Sequence, residues 1–139
     1  MSDLQTNYPG IRQIVRFPFN RTPRNCELMA VGKQKVILPF SQKIVSFFGV
    51  PILTATTKVE NNGTLAEAKL TFKTNEDLPF FGWNYAVMLE DHRCFMIGSD
   101  ERLPVVQRVT NSGSPDGEAK VRTYEISMKA AITPIECYI

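Results

Sequence analysis

Histidine is scarce in this sequence, and that limits the chemistry the chain can carry. His92 is the single histidine among 139 residues. Metal sites built from several imidazoles are therefore excluded, and any Ser-His or Cys-His nucleophile would depend on this one residue. An enzyme hypothesis would have to use Asp91, His92 and Cys94. These residues fall in a predicted hairpin turn, where a polar histidine is more often solvated than catalytic, so we predict no catalytic residue.

Cysteine is also sparse, which argues against covalent or metal cross-links. Cys26, Cys94 and Cys137 are odd in number and widely spaced. This pattern fits neither a disulfide framework nor a clustered zinc site, so buried thiols are expected. The three adjacent acidic pairs of the chain flank predicted strands, where solvated turn charges are more common than a cation site. Neither a metal nor a cofactor is predicted.

Phosphate-binding motifs and long apolar runs are missing as well. No glycine cluster precedes a Lys-Ser/Thr pair, which disfavours a nucleotide-dependent enzyme. The most apolar stretch, 36–53, is interrupted by polar residues and two prolines, whereas a membrane span needs about 20 mostly apolar residues. The first 13 residues contain no basic segment followed by an apolar run. We therefore expect no membrane association, and synthesis in a cytoplasm.

The overall composition is that of a folded protein with a packed core. Hydrophobic residues make up 43% and charged residues 22% of the chain. These fractions disfavour whole-chain disorder and fibrous repeats. The length suits one β-rich domain over 1–139, with room for extended segments at both termini.

The net charge of +2 conceals an asymmetry along the chain. Residues 1–50 hold seven Lys/Arg against two acids, and residues 51–139 hold nine against twelve. The first part is therefore +5 and the second −3. Such a division could orient copies head to tail, or it could let the basic part bind nucleic acid. Solvated charge that needs no partner is the commoner explanation.

Alternating apolar and polar residues between regular turn signals predict an all-β fold, a single antiparallel β-sandwich or barrel. The clearest hairpin spans 52–74, with Asn61-Asn62-Gly63 supplying the tight turn. A second hairpin is predicted at 83–98. Its first arm is apolar on both faces, which indicates a central strand or one covered by another layer.

The remaining elements are predicted with weaker signals. Strand patterns occur at 11–19, 26–31, 35–38, 105–110 and 121–129. One short helix is predicted near 41–49, where Ser41 can cap the first turn and Gly49 can end the last. Pro134 favours extended geometry, so the C-terminus is expected to form an edge strand or an arm.

Aromatic residues in loop-like positions are the most suggestive feature of the sequence. Two phenylalanine pairs stand beside glycine or proline. They either cap the open ends of the fold or form an intersubunit contact, since large exposed apolar patches mark interfaces. The interface candidates are Phe40, Phe47, Phe48, Phe80, Phe81 and Trp83.

A basic N-terminal region supports an alternative, a β-barrel module that binds single-stranded nucleic acid or a small ligand. The candidate phosphate-binding residues are Arg12, Arg16, Arg21 and Arg24. Phe17 and Phe19, interleaved with them, could stack on bases. Strand alternation, however, places both phenylalanines on the face opposite Arg12 and Arg16, in the core. This alternation weakens the nucleic-acid hypothesis.

The run from 83 to 135 resembles small β-rich proteins of bacteriophages and prophages, particularly tail or neck components. The likeness lies in FMIGSDERLPV, in the loop that follows it, and in YEISMKA before Ile-Thr-Pro. It implies a virion structural subunit that forms rings or collars through sheet edges and extended arms. Its partners would be further copies of itself and other virion proteins, and it would be assembled in the host cytoplasm. A non-viral protein of this kind would be cytoplasmic.

Overall fold

The computed structural model describes residues 4–39, 41–60, 63–109, 122–130 and 133–138. These residues form β-strands with one short α-helix and a single 3₁₀ turn at Phe19–Arg21. The helix α1 is Cys26–Val31. The strands are β1 Leu4–Asn7, β2 Ile11–Pro18, β3 Val36–Ile37, β4 Lys43–Val45, β5 Phe48–Glu60, β6 Gly63–Thr74, β7 Trp83–Leu89, β8 Cys94–Ile97, β9 Val105–Val109, β10 Arg122–Ala130 and β11 Ile135–Tyr138.

The first sheet contains five antiparallel strands in the order β1-β5-β6-β10-β9. It confirms the predicted hairpin of β5 and β6, whose turn residues Asn61 and Asn62 lie outside the described residues. Along β6, Ala66, Ala68 and Leu70 are buried while Lys69 is exposed, because successive side chains of a strand point to opposite faces. One face of this sheet therefore lies on the core and the other faces solvent.

The second sheet contains six strands in the order β3-β11-β8-β7-β2-β4. The predicted hairpin of β7 and β8 is confirmed, and β7 is a central strand. Asn84, Tyr85 and Ala86 are all buried although they alternate in direction, so both faces of β7 are covered. The two sheets contact each other through β2 with β5 and through β8 with β10, the strands on either side of β7. On the other face, the segment before α1 lies over β7, where Asn84 Nδ2 donates to Thr22 Oγ1 at 2.8 Å. The two separate sheets confirm a β-sandwich and exclude a closed barrel.

Two local predictions are wrong, and each has a tertiary cause. The segment 26–31 is a helix, not a strand, and its first backbone N–H groups are satisfied from a distance: Asn25 N and Cys26 N donate to the Asp100 carboxylate at 2.9 and 3.2 Å. The segment 41–49 is not a helix. It contains β4, which pairs with β2, and the start of β5. Strand pairing there outweighs the local helical pattern.

The C-terminal strand also differs from expectation. β11 lies between β3 and β8, so the two-residue strand β3 forms this edge of the sheet. The pairing of β11 with β3 is parallel, which makes the sheet mixed and not purely antiparallel. The partner of Cys137 in this register is Val36, some hundred residues earlier in the chain, so local sequence carries no signal for it.

Candidate protein-protein interface

An apolar groove lies beside β9, at one edge of the five-stranded sheet. Its lining residues are Phe80, Phe81, Leu103, Pro104, Val105 and Val106, and its volume is about 570 Å³. Phe81 is 83% exposed and Phe80 42% exposed. Because this surface, which we name the edge groove, consists of apolar side chains, it favours contact with another apolar surface.

The loop that carries the two phenylalanines is anchored to the sandwich. Leu78 is buried, and its backbone N–H donates to Tyr124 Oη at 3.0 Å. At the start of the loop, Arg122 Nη1 donates to the Asn75 carbonyl oxygen at 3.0 Å. Asp77 and Arg108 form a partly exposed ion pair at 3.7 Å. These contacts hold residues 75–78 against β9 and β10. The position of the loop just before Phe80 and Phe81 is therefore fixed.

Strand β9 is the last strand at one edge of the five-stranded sheet. It pairs with β10 and, among the described residues, with no other strand. Val105, at its start, is 57% exposed. An uncovered edge strand carries a row of free backbone donors and acceptors, which another extended chain can use. The edge groove therefore combines apolar side chains with a strand edge that no described strand pairs with.

A second apolar surface lies at the start of β5. Phe48, Val50 and Ile52 are exposed, Val50 at 82%, in a part of β5 where the register with β6 shifts. A depression of about 220 Å³ lies beside them, lined also by Thr71 and Lys73. We name Phe48, Val50 and Ile52 the β5 patch. Of the three, only Phe48 was predicted, because it belongs to a phenylalanine pair beside glycine, whereas Val50 and Ile52 carry no such signal.

Two other predicted interface residues, Phe47 and Trp83, pack within their own chain. Phe40 lies outside the described residues. Phe47 and Trp83 are half-buried and pack against the core. Trp83 has Arg16 Cζ at 4.4 Å and Lys43 Nζ at 5.4 Å from its ring centroid, both within the range of a cation–π contact. Trp83 therefore closes an end of the sandwich, in line with the capping alternative.

The four arginines of the nucleic-acid hypothesis are in different environments. Arg12, Arg21 and Arg24 are exposed, whereas Arg16 is half-buried against Trp83. Phe17 is fully buried, as strand alternation predicts, while Phe19 is half-buried in the 3₁₀ turn. Neither ring is a fully exposed platform on which a base could stack. Nucleic-acid binding stays a prediction that these positions do not strengthen.

The residues of the enzyme hypothesis are neighbours in the turn between β7 and β8. The Asp91 carboxylate accepts from Arg93, from its backbone N at 3.2 Å and its Nε at 2.7 Å. His92 is exposed and adopts a positive φ of 70°. Cys94 Sγ lies 3.8 Å from the His92 carbonyl oxygen. In this arrangement the carboxylate orients an arginine rather than the imidazole.

Three further properties concern the part of the chain that the structure describes. No three His, Cys, Asp or Glu side chains there gather into a group that could hold a metal ion. No helix there has the length and apolar character needed to cross a membrane. Cys26, Cys94 and Cys137 are buried, as predicted from their number and spacing.

Burial of ionisable core groups predicts loss of stability at high pH. Burial raises the pKa of Cys26 to about 11 and that of Tyr85 to about 12, and it also raises the pKa of Cys137. Unfolding exposes these groups, which then lose protons at lower pH than in the folded protein. The free energy of unfolding should therefore be unaffected by them below about pH 7.5, start to fall near the ordinary cysteine pKa of about 8.5, and continue to fall towards pH 12.

Urea denaturation at a series of pH values from neutral to alkaline measures this decline. Tyr85→Phe is the matched variant, since it removes one of the three groups and should reduce the loss above about pH 10. A free energy of unfolding that stays constant up to about pH 11 would contradict the burial of these groups.

Comparisons with known proteins add no assignment to these surfaces. No protein-family model matches the sequence, and no curated protein or solved structure matches it. The edge groove and the β5 patch are therefore interpreted from their own geometry and chemistry.

Proposed function

We propose that the protein is a structural assembly subunit that acts through protein–protein contacts, and that it associates with further copies of itself through the edge groove. The proposal rests on the exposure of Phe81, whose side chain is 83% exposed. Its loop is held by the hydrogen bond from Leu78 to Tyr124 and lies beside β9, the edge strand of the sheet. Soluble proteins usually protect such edges with charge, proline or a covering segment. Pro104 and Arg108 also lie at this edge, but the exposed side chains of Phe81, Leu103 and Val105 beside it are apolar and favour contact with a partner chain.

The proposed setting is a virion, in a ring or collar of a phage tail or neck. The resemblance of residues 83–135 to small phage structural proteins supports this setting. A ring subunit needs surfaces that bind its neighbours and needs no cofactor. The edge groove is a surface of this kind. Its partners would be copies of itself and other virion proteins, assembled in the host cytoplasm.

A charge placed in the edge groove should disrupt self-association. Phe81→Asp puts a carboxylate where an apolar contact is proposed, and desolvating that carboxylate opposes binding. We expect association at least about tenfold weaker than that of the wild type, equivalent to about 1.4 kcal/mol. Sedimentation velocity and native mass spectrometry over a range of concentrations measure this change.

Val59→Asp is the matched control. Val59 is 56% exposed near the tip of the β5–β6 hairpin, away from both apolar surfaces. This variant carries the same added charge and should associate like the wild type. Both variants should keep the wild-type unfolding midpoint, because the substituted side chains are exposed. If Phe81→Asp associates as strongly as Val59→Asp, the edge groove is not the contact.

A further inference from the structure

A row of three polar side chains crosses three neighbouring strands of the six-stranded sheet. Lys43 of β4 is the register partner of Arg16 of β2, and Arg16 is the register partner of Tyr85 of β7. Register partners lie on the same face of a sheet. Asn84, the neighbour of Tyr85 in β7, faces the segment before α1, so the row faces the other way, towards the five-stranded sheet. We name these three side chains the polar row.

The polar row brings two positive charges to one end of the sandwich. The ring centroid of Trp83, which closes this end, lies 4.4 Å from Arg16 Cζ and 5.4 Å from Lys43 Nζ. Like charges directly opposite each other on neighbouring strands repel. Neither cation forms an ion pair with another described residue. The repulsion between them is therefore not offset by a direct contact with a described carboxylate.

Two buried donors of the polar row lack an acceptor. Tyr85 is fully buried, and its hydroxyl has no hydrogen-bond partner among the described residues. The same is true of the buried Arg16 Nε. Buried polar groups nearly always have a partner, because an unpaired one costs free energy. Two such donors on register partners, one of them cationic, point to an acceptor that carries negative charge.

Glu76 acts on Tyr85 electrostatically but does not bond to the polar row. Burial raises the pKa of Tyr85 to about 12, Arg16 opposes this rise, and Glu76 adds to it with a smaller effect. The Glu76 carboxylate is engaged elsewhere, since its Oε2 accepts from the backbone N and the Oγ of Ser46 at 2.6 and 2.9 Å. The acceptor for the polar row is therefore expected from outside the described chain.

We propose that the polar row binds a small oxyanion, of the class of inorganic phosphate or a free carboxylate. Arg16 Nε and the Tyr85 hydroxyl donate to its oxygens, and Lys43, which is exposed at the rim, offsets its charge. Because Tyr85 is fully buried, a ligand that reaches its hydroxyl has to be small, which favours a free anion over a phosphate of a nucleic-acid chain. This site is separate from the edge groove and does not rest on the proposed function.

Trp83, the single tryptophan of the chain, reports on this site. Its fluorescence should change saturably when sodium phosphate replaces sodium chloride at constant ionic strength. The physical reason is that an anion at Arg16 and Lys43 alters their contacts with the indole ring. Sodium acetate is the second probe. The probe that half-saturates the signal at the lower concentration shows whether the site prefers a phosphate group or a carboxylate.

Variants of the polar row should weaken binding to different extents. Arg16→Gln and Tyr85→Phe should each weaken it about tenfold or more, because each removes a hydrogen bond to a charged group. Lys43→Gln should weaken it about two- to fivefold, as expected for an exposed charge. Lys69→Gln is the matched control, since it removes the same charge from the solvent-facing side of β6 and should bind like the wild type.

Urea denaturation with and without phosphate gives a second measurement. Phosphate stabilises proteins generally because it is excluded from their surface, and this effect acts on all variants alike. Binding adds a stabilisation that requires the site. The urea midpoint should therefore rise more for the wild type and Lys69→Gln than for Tyr85→Phe.

Three results would overturn the oxyanion site. One is a fluorescence signal that saturates with neither probe. Another is equal affinity of the wild type and Tyr85→Phe, because the anion then does not reach the buried hydroxyl. The third is an equal rise of the urea midpoint in all variants. If Arg16→Gln fails to fold, as judged by circular dichroism, Lys43→Gln and Tyr85→Phe carry the test.

Discussion

Replacement of Gly98 by alanine should lower the free energy of unfolding by about 4 kcal/mol, the largest single-residue effect that we predict. Gly98 follows β8 with φ at +105°, a backbone conformation that side chains rarely adopt. A Cβ there would overlap Asn84 Oδ1 and would lie 2.7 Å from Asn84 Cγ and 2.9 Å from Pro104 Cδ. Backbone strain and overpacking each cost about 1–3 kcal/mol, and at this position both apply.

Gly63→Ala is the matched control for Gly98→Ala. Gly63 has a φ of +126°, in the same backbone region, but among the described residues, its chain neighbours aside, no atom lies within 4 Å of the Cβ that alanine would add. Only the strain of about 1–3 kcal/mol is expected there. Urea denaturation of the two variants measures the difference, which isolates the steric contact with Asn84 and Pro104. Equal destabilisation would mean that these side chains move aside without cost.

Two tyrosine-to-phenylalanine substitutions in the core should have different effects although Tyr124 and Tyr85 are both fully buried. The Tyr124 hydroxyl accepts the Leu78 N–H at 3.0 Å, so Tyr124→Phe leaves a buried donor without an acceptor and should cost about 1–3 kcal/mol. The Tyr85 hydroxyl is buried and has no hydrogen-bond partner in the described structure. Tyr85→Phe should therefore leave stability unchanged or raise it by about 1 kcal/mol at neutral pH.

The two tyrosine variants also link the core to the interface. Because Leu78 anchors the loop that carries Phe80 and Phe81, Tyr124→Phe should speed amide hydrogen exchange over 78–82 and weaken association. Tyr85→Phe should change neither property. Chemical denaturation and hydrogen exchange on the pair give the comparison. Equal stabilities would contradict the anchoring role of the Tyr124 hydroxyl.

The parts of the fold that were predictable are those in which local pattern and tertiary structure agree. In the β5–β6 hairpin, alternating apolar and polar residues around a turn specify the strands within a short window, and in the β7–β8 hairpin an apolar, aromatic-rich run on each side of a polar turn does so. In 26–31 and 41–49 the deciding contacts are distant. Asp100, 74 residues from Cys26, accepts from the first turn of α1, and β2 supplies the pairing that makes Lys43–Val45 a strand. No periodicity in either segment could reveal these partners.

Some residues of the candidate interface could likewise be predicted from the sequence, and others could not. Phe48, Phe80 and Phe81 were identified because paired phenylalanines beside glycine or proline are unusual in loops. Val50 and Val105 were not, since an aliphatic residue in a strand pattern is ordinarily assigned to the core. Val105 pairs with Ser127, whereas the next residue pairs with the buried Ile126, so Val105 lies on the solvent-facing side of the sheet. Val50 lies where the register of β5 with β6 shifts. Both facts come from strand register and sheet order. Sheet order depends on long-range pairing, which a single sequence does not encode locally.

Self-association of the wild-type protein is the central claim, and sedimentation equilibrium over a wide concentration range tests it most directly. The weight-average mass should rise above that of the monomer as concentration increases, and it should do so for Val59→Asp but much less for Phe81→Asp. If the mass stays at the monomer value up to about 1 mM, the dissociation constant exceeds about 1 mM, and the free energy of association is weaker than about 4 kcal/mol. That result would contradict an assembly subunit built on the edge groove.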